Sequence, residues 1–195
     1  MHKMNAEADQ QDLLSDLSDL DLMRHLLADM QDCLDGKISR LRHLADLSGA
    51  MGKRGTMIFG GPAAYLAWVE SRDCYVNGNF VATVLLCQGM VEQLLASYLH
   101  AGLLVDKIPE RIQFRETLRL CRERDVISDD DVKGLERLME LRNPLSHFRH
   151  VDDASNLERR SIDGRAHPDV LIRRDADFAI GVAARILAKP AFRLG

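Results

Sequence analysis

The stretch "LMELRNPLSH", residues 138–147, decides how this chain is interpreted, because a run of good helix formers meets an asparagine and a proline. An arginine and a histidine, Arg142 and His147, flank that break. On a regular helix each residue turns about 100°, so these two side chains would point about 140° apart and could not converge. Pro144 changes this expectation, because it has no amide hydrogen for the helical ladder and its ring crowds the preceding turn.

Two backbone arrangements would bring the arginine and the histidine to one side. The helix could kink at Pro144, or Asn143 could cap a second helix in which Pro144 is the first residue. The structural alternative is a plain helix end, where Arg142 stabilises the C-terminal dipole and His147 is a surface side chain. The functional interpretation is a phosphate site: arginine has a planar fork that matches phosphate oxygens, and histidine transfers protons near neutral pH.

The composition predicts one helical domain with an extension. The chain has 195 residues, of which 46% are hydrophobic, 29% charged and only 5% aromatic. These values are typical of a globular protein in which helices are favoured over sheets. The predicted segments are a helix over Ala63–Tyr75, a buried helix from Phe80 to about Leu104, a helix from Glu110 to about Glu123, a helix that starts at Ser128-Asp129-Asp130-Asp131 and enters the quoted stretch, a loop over Val151–Pro168, one short strand at Val170–Ile172 and a closing helix over Asp175–Lys189.

The N-terminal part has a different character from the rest. From Leu13 to Ala45 the apolar residues recur in steps of three and four, which predicts one or two amphipathic helices packed on the body or on a partner subunit; a coiled-coil seam is the alternative. Residues 1–35 carry a formal charge of -7, and the remaining chain carries +3. We therefore predict an acidic helical extension over residues 1–47, a mobile Gly-rich linker over 48–62, a helical domain over 63–190 and a tail over 191–195.

Several classes of protein are disfavoured. Arg54 stands where a phosphate-binding loop needs serine or threonine. His147 and His150 have no carboxylate or thiol at a recognisable ligand spacing, so we predict no metal and no cofactor. The most apolar helix is interrupted by polar residues, which argues against a membrane span. The four cysteines form no CxxC pair and predict reduced, mostly buried thiols in a cytoplasmic protein.

The segment "RNPLSH" resembles the R-x4-6-H signature of HEPN domains, in which a polar residue commonly follows the arginine. The order of predicted helices around it agrees, and the resemblance covers roughly residues 63–190. It implies an antiparallel helical bundle that forms homodimers with the motifs facing one another. It also implies a metal-independent endoribonuclease of the kind found in toxin–antitoxin and antiviral systems. By the same resemblance, Arg142 would bind phosphate, Asn143 would position it, His147 would transfer protons, and Glu92 would match a recurrent acidic position.

The surrounding basic residues extend this hypothesis. His150 could support the site, and three arginines, Arg149, Arg115 and Arg119, could bind RNA. The arginines of the third helix could equally pair with neighbouring glutamates on a solvated face, and Glu92 could form a plain polar pair with Gln88. The predicted partners are RNA, a second copy of the chain, and an antitoxin or defence-complex protein. Two alternatives compete: a catalytically silent HEPN module that binds a partner protein or nucleotide, and a regulator that dimerises through its N-terminal helix.

Overall fold

The computed structural model describes residues 18–101 and 111–194, and most of these residues are helical. Within them the only β-type pairing is an isolated antiparallel bridge between Thr56 and Arg193, so the all-α prediction is confirmed. The predicted end of the buried helix, at Leu104, and the predicted start of the next helix, at Glu110, lie outside the described residues. Residues 111–113 are described and are not helical, so that next helix begins later than predicted, at Phe114. The helices are α1 (Asp19–Asp32), α2 (Leu34–Ala50), α3 (Gly61–Asn77), α4 (Phe80–Ala101), α5 (Phe114–Glu123), α6 (Asp129–Ser146), α7 (Leu157–Gly164) and α8 (Pro168–Leu187).

The chain divides into two compact units, residues 1–36 and 37–195. In the first unit, α1 begins at Ser18, whose side chain accepts a hydrogen bond from the Asp21 amide. None of the residues of α1 is buried, and its stripe of leucines and methionines is exposed. A turn at Cys33 separates α1 from α2, so the predicted amphipathic extension contains two helices. Its first apolar residues, before position 18, lie outside the described residues.

In the second unit, α4 is the central helix and packs against α3, α5, α6 and α8. This agrees with its sequence, which is apolar on nearly every face, because such a helix is stable only when other elements surround it. Within the described ranges, α4 is also the one helix long and apolar enough to cross a bilayer, a test that buried core helices of soluble proteins pass as well. Its buried residues are Thr83, Val84, Cys87, Gln88, Met90, Val91, Leu94, Leu95 and Leu99.

An arginine of α2 that belongs to the second unit bonds α2 to α3. Arg40 is 8% exposed, and its Nε and Nη2 donate to the carbonyl oxygen of Val76 at 3.0 and 2.9 Å. That carbonyl belongs to the last turn of α3, where cations are favoured by the helix dipole. The compact second unit therefore starts within α2, before the linker that the sequence predicted.

The segments predicted as a mobile linker and a tail are instead bonded to each other. The amide of Met57 donates to the carbonyl of Phe192 at 2.7 Å, next to the isolated bridge. Phe192 is 1% exposed, and its ring lies edge-on to the rings of Phe59 and Tyr98. Glycine content indicates local freedom only, whereas apolar side chains from both ends of the domain join one core.

Two further boundaries differ from the prediction. The predicted strand Val170–Ile172 is the first part of α8, which begins at Pro168 because His167 caps it and proline fits the first helical turn. The predicted loop over 151–168 contains α7, which Asn156 caps through its side-chain oxygen. Both predictions were wrong for the same reason. Polar residues occur at helix starts as readily as in loops, and only an apolar stripe after them distinguishes a helix start from a loop.

All four cysteines are free thiols, as predicted, and two of them are buried. Burial raises the pKa of Cys87 to about 12, and burial raises the pKa of Cys121 to about 12 as well. These two thiols therefore stay protonated near neutral pH and behave as small apolar core residues.

The predicted start of α6 is confirmed and joins α6 to the end of α8. Ser128 Oγ accepts from the Asp131 amide at 3.3 Å, and the Ser128 amide donates to Asp131 Oδ2 at 2.9 Å, which together form a capping box. Asp131 is 2% exposed and forms ion pairs with Lys189 and, at 3.4 Å, with Arg185. Burial raises the pKa of its carboxyl, but hydrogen bonds from Lys189 and Ser128 outweigh that effect and leave the pKa below the ordinary value.

Replacing Asp131 with alanine should lower the free energy of unfolding by about 3 kcal/mol at pH 7, because the variant loses both the cap and the partner of a buried ion pair. A carboxyl with a depressed pKa contributes stability above its unfolded value, near 3.8, and loses it as pH falls through the lower folded value. The difference in free energy of unfolding between the native protein and the variant should therefore be smaller at pH 3 than at pH 7, as measured by urea unfolding at both pH values. Asp130→Ala is the matched control, since that side chain is 92% exposed. An equal gap at both pH values would contradict the assignment.

Candidate functional site at the end of α6

Arg142 and His147 lie side by side at the C-terminal end of α6. The helix continues through Pro144 as far as Ser146, and His147 is its C-cap, with an extended backbone at φ -132° and ψ 138°. Arg142 Nη1 is 3.4 Å from His147 Nε2. The predicted restart, with Asn143 as the cap of a new helix, was wrong: the two side chains meet because the chain leaves the helical conformation at His147.

Local hydrogen bonds hold this helix end. The His147 amide donates to the Asn143 carbonyl at 3.0 Å. Ser146 Oγ lies 3.3 Å from the Arg142 carbonyl oxygen and 3.4 Å from that of Asn143, so this hydroxyl bonds the local backbone, as predicted. Leu145 packs against the hydrophobic core and anchors the final turn. Two of the last carbonyl groups of α6, those of Arg142 and Asn143, are thus bonded by nearby donors, although Pro144 contributes no amide hydrogen.

The pair is accessible and chemically complementary. Arg142 is half-buried and His147 is exposed, so a ligand can reach both side chains. When the imidazole is neutral with Nε2 unprotonated, Arg142 donates to it and fixes its ring, and the remaining guanidinium hydrogens stay available for an anion. Fixed cationic donors beside an acid–base group are what phosphoryl chemistry requires.

The segment after the pair is fixed by a polar network that the sequence did not indicate. Asn156 Nδ2 donates to the Arg149 carbonyl at 2.9 Å, and its Oδ1 caps α7. Arg160 on α7 binds Asp175 on α8 through two hydrogen bonds of 2.7 and 2.8 Å. Because Asp175 is 4% exposed, this two-pronged pair ties α7, and through it the segment after His147, to the core. In the sequence, the one local sign of this network is Asn156, a residue type that often caps helices.

Glu92 and His150 do not join the pair. Gln88 Nε2 donates to Glu92 Oε2 at 2.8 Å, so the alternative of a satisfied polar pair on α4 describes Glu92 in this structure. The exposed His150 Nδ1 lies 3.2 Å from Asp152 Oδ2. Across the described residues, hydrogen bonds connect neither of these side chains to Arg142 or His147.

The three predicted RNA-binding arginines differ in whether acidic side chains pair with them. On α5, Arg119 forms hydrogen bonds with both Glu116 and Glu123, so the alternative of a paired, solvated face is what the structure shows there. Arg115 has no hydrogen-bond or ion-pair partner among residues 18–101 and 111–194. Arg149 lies near the pair, with its Nε 3.9 Å from Asp153 Oδ2. Of these three arginines, Arg149 is the one in the segment that follows His147.

Comparisons with protein-family models, with curated proteins and with solved structures found no match for this chain.

Proposed function

We propose that this chain is a metal-independent endoribonuclease of the HEPN type that acts as a homodimer in the cytoplasm, within a toxin–antitoxin or antiviral system. The observation that supports the proposal is the 3.4 Å contact between Arg142 Nη1 and His147 Nε2 at an accessible helix end. The R-x4-6-H pattern places these two residue types five to seven positions apart. Here they stand five apart, a spacing at which a regular helix would have separated them.

The chemistry follows from the substrate and the two side chains. RNA carries its own nucleophile, the 2′-hydroxyl. When a phosphate draws the Arg142 guanidinium away from His147 Nε2, that nitrogen accepts the hydroxyl proton as the oxygen attacks the adjacent phosphorus. Arg142 donates to the non-bridging phosphate oxygens, where negative charge increases in the transition state. The bond from phosphorus to the 5′-oxygen breaks, and that oxygen takes a proton. The products are a 2′,3′-cyclic phosphate and a 5′-hydroxyl, with no external oxidant, reductant or water consumed.

A homodimer supplies what one copy lacks. Attack and departure occur on opposite sides of the phosphorus, so two proton-transfer groups are favourable, and one Arg142–His147 pair provides one. A two-fold axis close to the end of α6 would bring a second histidine from an identical surface. The exposure of His147 is compatible with this arrangement, and a protein that stays monomeric at micromolar concentration would contradict it.

Purified full-length protein incubated with mixed cellular RNA is expected to release fragments that end in 2′,3′-cyclic phosphate, and an excess of chelator should not reduce the rate. Phosphatase- and kinase-dependent end labelling identifies those ends. The matched control substrate is the same sequence as DNA, which lacks the 2′-hydroxyl and should remain intact. If protein free of any inhibitor cleaves no RNA, the alternative is favoured, namely a silent HEPN module that binds a partner protein or nucleotide and serves assembly.

A further inference from the structure

An aromatic residue, Phe148, directly follows His147 in the sequence, and almost none of its surface is covered. Phe148 is 91% exposed, whereas no other large apolar side chain in the described part of the chain exceeds 64%. Sequence reasoning did not single it out. A phenylalanine left in water contributes nothing to the core, so its position beside the pair suggests a ligand that covers it.

The backbone around this ring is held in place. His147, the residue before it, has an extended backbone, and its amide donates to the Asn143 carbonyl at 3.0 Å. Arg149, the residue after it, is bonded through its carbonyl to Asn156 at 2.9 Å. Phe148 is thus displayed between two anchored neighbours, which lowers the conformational entropy that binding would cost.

The extended conformation at His147 sets how the ring and the imidazole are arranged. Side chains of successive extended residues point to opposite sides, while their Cα atoms are about 3.8 Å apart. The Phe148 ring therefore points away from the imidazole and leaves the pair uncovered. A nucleic-acid strand whose phosphate contacts Arg142 would bring a neighbouring base within reach of Phe148.

We propose that Phe148 is a stacking platform for an unpaired base next to the phosphate bound by Arg142, and that the chain consequently binds single-stranded RNA. This inference rests on the proposed function and adds a positioning residue to it. Aromatic side chains bind single strands by stacking on bases, and they do so for every base because each has a π-face. In a duplex, those faces are already covered by neighbouring bases, so a paired substrate offers nothing to the ring.

The test uses the full-length native chain and a single-stranded 2′-O-methyl RNA oligonucleotide, which has no free nucleophile and is not cleaved. Phe148→Ala should weaken binding by about 5–150-fold, the range for loss of one stacked base. Phe148→Trp should bind as the native chain does. Phe148→Leu, which keeps apolar bulk without a π-face, should bind as weakly as the alanine variant. Tyr65→Ala is the matched control, because Tyr65 is an aromatic residue on α3 with 56% exposure and should not affect binding.

Three results would overturn the inference. Native affinity in Phe148→Ala would show that the ring does not contact RNA, and native affinity in Phe148→Leu would show that stacking is not involved. A lower mass per particle for Phe148→Ala in light scattering would place the ring in a subunit interface. Cleavage of unmodified RNA separates this inference from the proposed function: if the native chain binds with the expected pattern but cleaves nothing, stacking stands and the nuclease proposal fails. If it cleaves and Phe148→Ala binds and cleaves equally well, only the stacking inference fails.

Discussion

Replacing His147 with alanine is expected to lower the rate of RNA cleavage by about 10²–10⁴-fold, the usual contribution of a positioned general acid or base. The free energy of unfolding should stay within about 0.5 kcal/mol of the native value, because His147 is exposed and its backbone bond to Asn143 does not depend on the side chain. Cleavage rate and urea unfolding measured on the same preparations give both quantities.

The structure provides a matched control a few residues away. His150 is an exposed histidine of the same segment, paired with Asp152, so His150→Ala should keep nearly full activity if the effect belongs to His147 specifically. Arg142→Lys keeps the positive charge but loses the planar fork, and it should be strongly impaired as well. Unaltered cleavage by His147→Ala would end the catalytic assignment, and a large loss of stability would assign the pair a structural role.

The helical class of this chain and the start of α6 could be predicted because they depend on local signals. Ser128 and the carboxylates after it satisfy amides of their own first turn, so four consecutive residues contain the information. The linker and tail could not be predicted in the same way. Phe59 and Phe192 stand far apart in the sequence, and their contact becomes visible only when the chain is folded.

The same distinction applies to the candidate site. Arg142 and His147 were recognised as a pair by residue type and spacing, and the structure places them in contact. The network that holds the following segment runs from Asn156 through Arg160 to Asp175. It joins residues distant in the sequence, and Asn156 at a helix start was the one local signal for it. For Arg119 the sequence left two interpretations open, an RNA-binding surface and pairing with glutamates of the same face, and the structure shows the pairing.

Pro144 connects the local backbone to the function. It lies in the last turn of α6, where it withholds the amide that would bond the Glu140 carbonyl, and the helix ends two residues later at Ser146. If the helix instead continued past Ser146, His147 would turn about 140° away from Arg142, and the contact at 3.4 Å would be lost. We therefore expect that Pro144, by weakening the final turn of α6, permits the pair to form.

Replacing Pro144 with alanine should consequently change stability and activity in opposite directions. The restored amide and the higher helix propensity should raise the free energy of unfolding by about 1 kcal/mol, less than for a proline in a helix interior because only the final turn is affected. Cleavage should fall about 10²-fold, the cost of displacing a catalytic group by an ångström or more. Pro168→Ala is the control, since that proline stands in the first turn of α8, where no amide hydrogen is required, and activity should be retained. A more stable Pro144→Ala protein with full activity would show that the approach of His147 to Arg142 is set by the packing of Leu145 and the bonds of Ser146, independently of the proline.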